Sequence, residues 1–249
     1  MSPPTRFLDS VRRAFGARTE AETPPLPAPG GRRLALVYRG PAARPAGCSE
    51  AVAALLEAGP WDLDVRYTGP SEDVPLSLTS LAHAHLYAQP GGGSLGPAYR
   101  RLRKHGDEIR AYVRGGGRYL GFCLGGYLAG DDPGFDLLPG DTDQYIVTPG
   151  ATVTHDGDTV VETRWRGLPR TVYFQDGPHF LLDPGATATV LATYPNGTVA
   201  AVVTPCGAGK IAVVGPHPEA TDDWFLDEGL PVHHTHDLAV DLVDELLAD

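Results

Sequence analysis

The stretch Arg118-Tyr119-Leu120-Gly121-Phe122-Cys123-Leu124-Gly125-Gly126-Tyr127 constrains the fold more than any other part of the chain. An apolar run stops at a cysteine that has glycine two residues before and two after it, then resumes with the spacing of a short helix. A nucleophile elbow has this form, because a sharp strand-to-helix turn strains the nucleophile and leaves no room for neighbouring side chains. A chain built around such a turn has strands feeding helices, an α/β arrangement. The same turn sets the thiol at a helix N-terminus, where backbone N–H groups favour thiolate over thiol. Taken alone, Cys123 reads equally well as a buried cysteine in a glycine-rich turn, since reactivity needs partners that this stretch does not supply.

The surrounding pattern extends the α/β reading. Short β-like runs at 34–38, 63–67, 84–88 and 118–122 alternate with helical stretches at 50–58, capped by Ser49, and at 97–114. This alternation predicts a mostly parallel sheet with helices on both faces. After Gly130 the chain turns to short runs rich in Thr, Val, Gly and Pro at 159–162, 171–174, 188–194 and 199–204. Tyr194-Pro195-Asn196-Gly197-Thr198 is a hairpin turn between the last two, so an antiparallel β extension is expected on the parallel sheet. A final β run at 209–215 and a helix over 236–247 close the pattern.

Ahead of the first strand, Phe7, Leu8, Val11 and Phe15 share one helical face. Residues 6–16 are therefore a candidate docking helix for a protein partner, although such segments more often fray or pack on their own domain. The proline-rich residues 17–32 read as a linker. The expected organisation is an N-terminal segment and linker over 1–32 and one domain over 33–249.

Composition narrows the partners. The formal charge of −11 over 249 residues disfavours nucleic acid or an anionic membrane surface. No apolar stretch has the length to span a bilayer, and the three cysteines, Cys48, Cys123 and Cys206, lack metal-type spacing. A reduced, cytoplasmic setting is expected.

In open α/β sheets ligands bind beyond the carboxyl ends of the parallel strands. Four segments follow inferred strands there: 40–45, Pro90-Gly91-Gly92-Gly93, Cys123-Leu124-Gly125 and Gly215-Pro216-His217-Pro218-Glu219. His217 is placed to accept the Cys123 proton and Glu219 to orient the imidazole, a Cys-His-Glu arrangement. The Leu124 N–H and a backbone N–H of Gly91 or Gly92 are candidate oxyanion donors. On its own, a His-x-Glu pair is more often a surface loop; joined to the elbow, it becomes the better reading.

Taken in order, Val37-Tyr38-Arg39-Gly40-Pro41, Pro90-Gly91-Gly92-Gly93, 119–127, Tyr173-Phe174-Gln175-Asp176-Gly177-Pro178-His179-Phe180 and 215–219 resemble the N-terminal domain of eukaryotic biotin-protein ligases. That domain is part of the class I glutamine amidotransferase-like superfamily, and the resemblance spans about residues 33–220. It implies a flavodoxin-like sheet, Cys123 as nucleophile, His217 as base, Glu219 as its orienting acid, and Gln175 and His179 near the pocket. The chain departs from glutaminases of the superfamily at Tyr127, where they carry Gln or Glu that holds glutamine. It departs from the intracellular-protease branch at Leu124, where that branch has His. Biotin transfer is not expected, as no biotin-ligase catalytic region follows.

The expected function is a cofactor-independent hydrolase or amidotransferase-like enzyme acting on a small-molecule amide or related acyl substrate, with Cys123, His217 and Glu219 catalytic and Gly91, Gly92, Leu124, Tyr127 and Gln175 contacting substrate. The alternatives are a ligand-binding or regulatory module that keeps the same geometry without turnover, and a redox sensor at Cys123. No metal site is expected. His233, His234 and His236 precede a helix that Thr235 or Asp237 caps, and His83 and His85 would share one face of a strand. Cys48 borders the expected site, and Cys206 reads as structural.

Overall fold

Strands buried on both faces need apolar side chains at successive positions, and Leu34-Ala35-Leu36-Val37 and Ile211-Ala212-Val213-Val214 supply them with almost no exposure. The computed structural model describes residues 31–248, so the amphipathic stretch 6–16 and most of the linker lie outside the described residues. Five strands pair in parallel: β1 (Arg33–Tyr38), β2 (Leu63–Thr68), β3 (Ala84–Gln89), β4 (Arg118–Phe122) and β11 (Gly209–Val214). The sheet has eleven strands. Its main path runs β2-β1-β3-β4-β11 and continues through β10 (Val199–Cys206), β9 (Thr189–Thr193), β6 (Thr159–Trp165) and β7 (Leu168–Phe174). Off that path, β5 (Gly140–Gln144) pairs with β8 (Pro178–Leu182), which in turn pairs with β10. From β11 onward the pairing is antiparallel, which gives the expected extension.

Side-chain alternation sorts the core onto two faces. Ala35, Val37, Leu86, Ala88, Leu120 and Phe122 pack with helices α1 (Cys48–Ala58) and α7 (His236–Leu247). On the opposite face, Leu34, Leu36, Tyr87 and Tyr119 pack with α2 (Leu78–His83), α3 (Leu95–Leu102), α4 (Gly106–Arg114) and the one-turn α5 (Leu124–Tyr127). Helix α7 also ties the two kinds of sheet together: Trp61 Nε1 donates to Asp244 at 2.7 Å, and Trp165 Nε1 to Asp241 at 2.7 Å. Its N-cap is Thr235, whose hydroxyl donates instead to the carbonyl of Pro218, behind the His217 loop. A further short helix, α6 (Asp222–Asp227), lies between β11 and α7 and anchors on buried Phe225.

Several local expectations need correction. Helix α1 begins at Cys48 with Gly47 as N-cap, and the Ser49 hydroxyl donates to the Tyr38 carbonyl, tying the helix to β1. The stretch 97–114 is not one helix. A 3-10 turn, Arg103–His105, separates α3 from α4, and His105 (φ −103°, ψ −1°) pairs with Glu108. His83 and His85 do not share a strand face: His83 ends α2, and His85 lies on β3 with its Nε2 3.0 Å from Arg33 Nη1. Among the described residues, no helix is long and apolar enough to cross a membrane.

Candidate functional site

Cys123 has φ 46° and ψ −103°, a backbone conformation that costs a residue with a Cβ on the order of 1–3 kcal/mol. The elbow holds it there from both sides, since Cys123 N–H donates to Val214 O and Tyr127 N–H to Cys123 O. The flanking glycines are required by close approach. A Cβ on Gly125 would lie 2.0 Å from Gln89 O, and one on Gly121 2.5 Å from Gly125 O. Cys123 is the N-cap of α5, and the first N–H groups of that helix, beginning with Leu124, have no acceptor within it.

His217 reaches Cys123 from the end of β11. Its backbone N–H donates to Tyr173 O, bridging the loop to β7, and its ring packs edge-on to Tyr173 and Trp224. Nδ1 lies 2.8 Å from Glu219 Oε1, with both side chains almost fully buried. Burial disfavours the charged imidazole, but the Glu219 carboxylate and the neighbouring Cys123 sulfur outweigh it and raise the His217 pKa. Among the described residues the second Glu219 oxygen is buried without a partner, and the carboxylate's hydrogen bond is the one to His217. The Cys123 thiol itself donates to Gln175 O at 3.5 Å.

The glycine loop after β3 completes the contact. A Cβ on Gly91 would stand 2.6 Å from His217 Cε1 and 3.3 Å from Cys123 Cβ, so this backbone lies directly against the pair. Gly92 has φ +95°, and a Cβ there would stand 2.2 Å from Arg44 O. The loops after β1, β3, β4 and β11 thus meet at one edge, which brings together Gly91, Gly92, Cys123, Leu124, His217 and Glu219.

Two cavities open on this edge. The larger, about 590 Å³, is lined by Cys123, Leu124, Tyr127, Gly92 and Gln175. Thr142 and Gln144 with Asp143, Asp156 and Asp176 also line it. The smaller, about 320 Å³, has His217, Cys48, Tyr173, Trp224 and Asp158 in its wall. Gln175 belongs to both, and its side-chain amide donates to Asp158 at 3.2 Å. Tyr127 donates its hydroxyl to Asp176 O at 3.0 Å. The Cys48 thiol is pushed up to about 12, chiefly by burial and then by the Glu219 carboxylate nearby, which makes it a poor nucleophile.

Other candidates lie elsewhere. His179 is buried on β8 outside both cavities, with neither ring nitrogen hydrogen-bonded. His234 pairs loosely with Asp222 at 3.4 Å, His233 lies beside Phe225, and Asp237 holds Arg170. Cys206 is buried and free at the end of β10. Sequence reasoning missed the carboxylates at 143, 156 and 176. Asp143 is on β5, Asp156 in the loop before β6 and Asp176 in the turn after β7, and only the tertiary fold brings them to one cavity.

Residues 35–149 match the family model described as "Biotin-protein ligase, N terminal". Imidazole glycerol phosphate synthase subunit HisH of Synechocystis sp. is 30% identical over 163 residues, covering 57% of this chain and 76% of that protein. The corresponding subunit of Synechococcus sp. is 27% identical over 146 residues, 52% of this chain and 66% of that protein. Among solved structures, a cytoplasmic protein of Salmonella typhimurium LT2 superposes with a TM-score of 0.52 at 13% identity. That match covers 86% of this chain and 99% of that one, a likeness of fold alone. On these matches and an amidotransferase-like fold, the chain belongs to the class I glutamine amidotransferase-like proteins, in the group described by the biotin-protein ligase N-terminal domain.

Proposed function

We propose that the protein is a cysteine-nucleophile hydrolase or amidotransferase-like enzyme acting on a small-molecule amide or related acyl substrate. The observation that carries this reading is the buried His217–Glu219 pair, 2.8 Å apart, beside a strained cysteine whose sulfur favours the protonated ring. His217 takes the thiol proton, and Glu219 stabilises the resulting imidazolium. The thiolate attacks the acyl carbon, and the backbone N–H of Leu124 with that of Gly91 or Gly92 receives the developing oxyanion. His217 returns the proton to the departing amine, leaving a thioester on Cys123. Water or an acceptor amine, deprotonated by His217, then attacks the thioester and releases the thiol.

The strand order β2-β1-β3-β4-β11 supports a flavodoxin-like parallel half, and the described strands and helices support reading 33–249 as one domain. The relatives are named as subunits of a synthase, which motivates a protein partner here too, and cytoplasmic residence accords with the three free thiols. A second reading, a binding module without turnover, draws on the resting thiol, which donates to Gln175 O.

Intact-mass analysis after exposure to a panel of activated amides and thioesters tests the proposal. An acyl adduct on Cys123 that decays with turnover, and is absent in Cys123→Ala, is the expected result. Turnover retained in a folded Cys123→Ala variant defeats the mechanism. A stable, non-covalent complex with no adduct favours the binding module.

A further inference from the structure

The larger cavity has a one-sided electrostatic character that the chemistry at Cys123 does not require. Asp143, Asp156 and Asp176 line it, and among the described residues no Lys, Arg or His does. Among the described residues no ion pair reaches any of the three carboxylates. Asp176 is held in place by Gln144, whose amide donates to its two oxygens at 2.9 and 3.2 Å. Burial, and the nearby charge of Asp156, push the Asp176 carboxyl up, which is the mark of a carboxylate without a counter-charge. Asp143 lies opposite His179 across the β5–β8 pairing, but burial lowers the His179 pKa and keeps that ring neutral. Arg44 meets Gly92 through its backbone, and it is not among the residues that line the cavity.

We propose that this cavity selects substrates with a positively charged group, an ammonium or guanidinium, beyond the acyl carbon that Cys123 attacks, with Asp143, Asp156 and Asp176 as the specificity-determining residues. The inference rests on Cys123 being the nucleophile of the proposed function. Three carboxylates in one concave wall, Asp143 and Asp156 exposed and Asp176 half-buried, give the cavity a negative potential and raise the local concentration of cations in it. A free amino acid such as glutamine carries an ammonium paired with a carboxylate, and among the described residues the wall offers no basic group to receive that carboxylate. The side chains at 142, 144 and 127 supply hydroxyl and amide groups, which suit the neutral part of such a substrate.

Two methanethiosulfonates of similar size, one ending in a trimethylammonium and one in a sulfonate, test this without knowledge of the substrate. The Cys123 sulfur attacks the sulfenyl sulfur, a disulfide forms and methanesulfinate leaves. Each rate is read at the Cys123 peptide by mass spectrometry and divided by the reagent's rate with 2-mercaptoethanol. The expected normalised preference for the cation is about tenfold, falling in high salt and approaching one in the Asp143→Asn, Asp156→Asn, Asp176→Asn triple variant. Should that variant not fold, the salt dependence of the native protein decides alone. Cys123 labelling with no cation preference overturns the charge selection and leaves the nucleophile intact, whereas no labelling by either reagent overturns both.

Discussion

The parallel strands β3, β4 and β11 run into Gly91, Cys123 and His217, whereas the antiparallel strands and the turns beside them bring Asp143, Gln144, Gln175 and Asp176 to the same cavity edge. The first set is buried and fixed by backbone approach. Gly91 abuts the His217 ring, Cys123 is held by two backbone hydrogen bonds, and Glu219 has no solvent exposure at its side chain. The second set is exposed or half-buried and polar. The difference teaches that in this fold rigidity and recognition come from different pairing geometries. A strand flanked by helices on both faces holds an atom in place, while an antiparallel extension with one wet side presents side chains that can change without disturbing the core.

The hardest break in the rigid set is Glu219→Ala, which leaves the buried His217 ring without the carboxylate that stabilises its charge. A loss of about 3–5 kcal/mol in denaturant unfolding is expected. Glu219→Gln, which keeps a hydrogen-bonding group, is expected to lose less. The pH dependence reports the same coupling. His217 is raised to about 10 in the folded protein from its ordinary value, so its contribution to stability is present below about pH 6.5 and fades as pH rises toward 10. Unfolding midpoints taken across that window should fall with pH in the native protein and flatten in Glu219→Ala. A native profile that is flat between those limits removes the coupling.

Next in size is Gly125→Ala, which drives a Cβ to 2.0 Å from the carbonyl oxygen of Gln89 at the point where α5 crosses β3. Backbone cannot swing aside as a flexible side chain does, and a cost of about 3 kcal/mol is expected, with Cys123 alkylation slowed as the elbow shifts. Gly91→Ala is the sharper probe of the site, since its Cβ meets the His217 ring rather than backbone. It should impair acyl transfer more than stability.

The rigid set was legible in the sequence because its signals are local. An apolar run ending in Gly-x-Cys-x-Gly, a triple glycine after a strand, and a Pro-His-Pro-Glu loop after the last β run each carry their meaning within a few residues. The recognition set was not, and β5 shows why. Gly140-Asp141-Thr142-Asp143-Gln144 has neither apolar alternation nor β-formers at most positions, and it is a strand through its pairing with β8. Asp156 and Asp176 have no spacing relation to it, so their convergence is tertiary. The charge of −11 was the one global sign of an acidic surface, and it does not say where that charge collects. Ser49 failed as a helix cap for a related reason, since its hydroxyl found a better acceptor in the Tyr38 carbonyl on β1, which sequence distance conceals.

Tyr127 is the point where the two sets touch, and its removal is the smallest and most informative change. It belongs to the elbow helix, yet its hydroxyl donates to the backbone of Asp176, which sits at φ 45° in the turn after β7. Tyr127→Phe deletes that bond and keeps the ring, at an expected net cost of about 1 kcal/mol. If the parallel edge alone fixes the nucleophile, the variant should react with a neutral alkylating agent at Cys123 at nearly the native rate. With its turn released, Asp176 should shift from its place in the wall and the cavity should lose part of its cation preference. Equal losses in neutral and charged reactivity would show instead that the elbow and the antiparallel turn form one mechanical unit, and the division drawn between them would fail at the residue where it is thinnest.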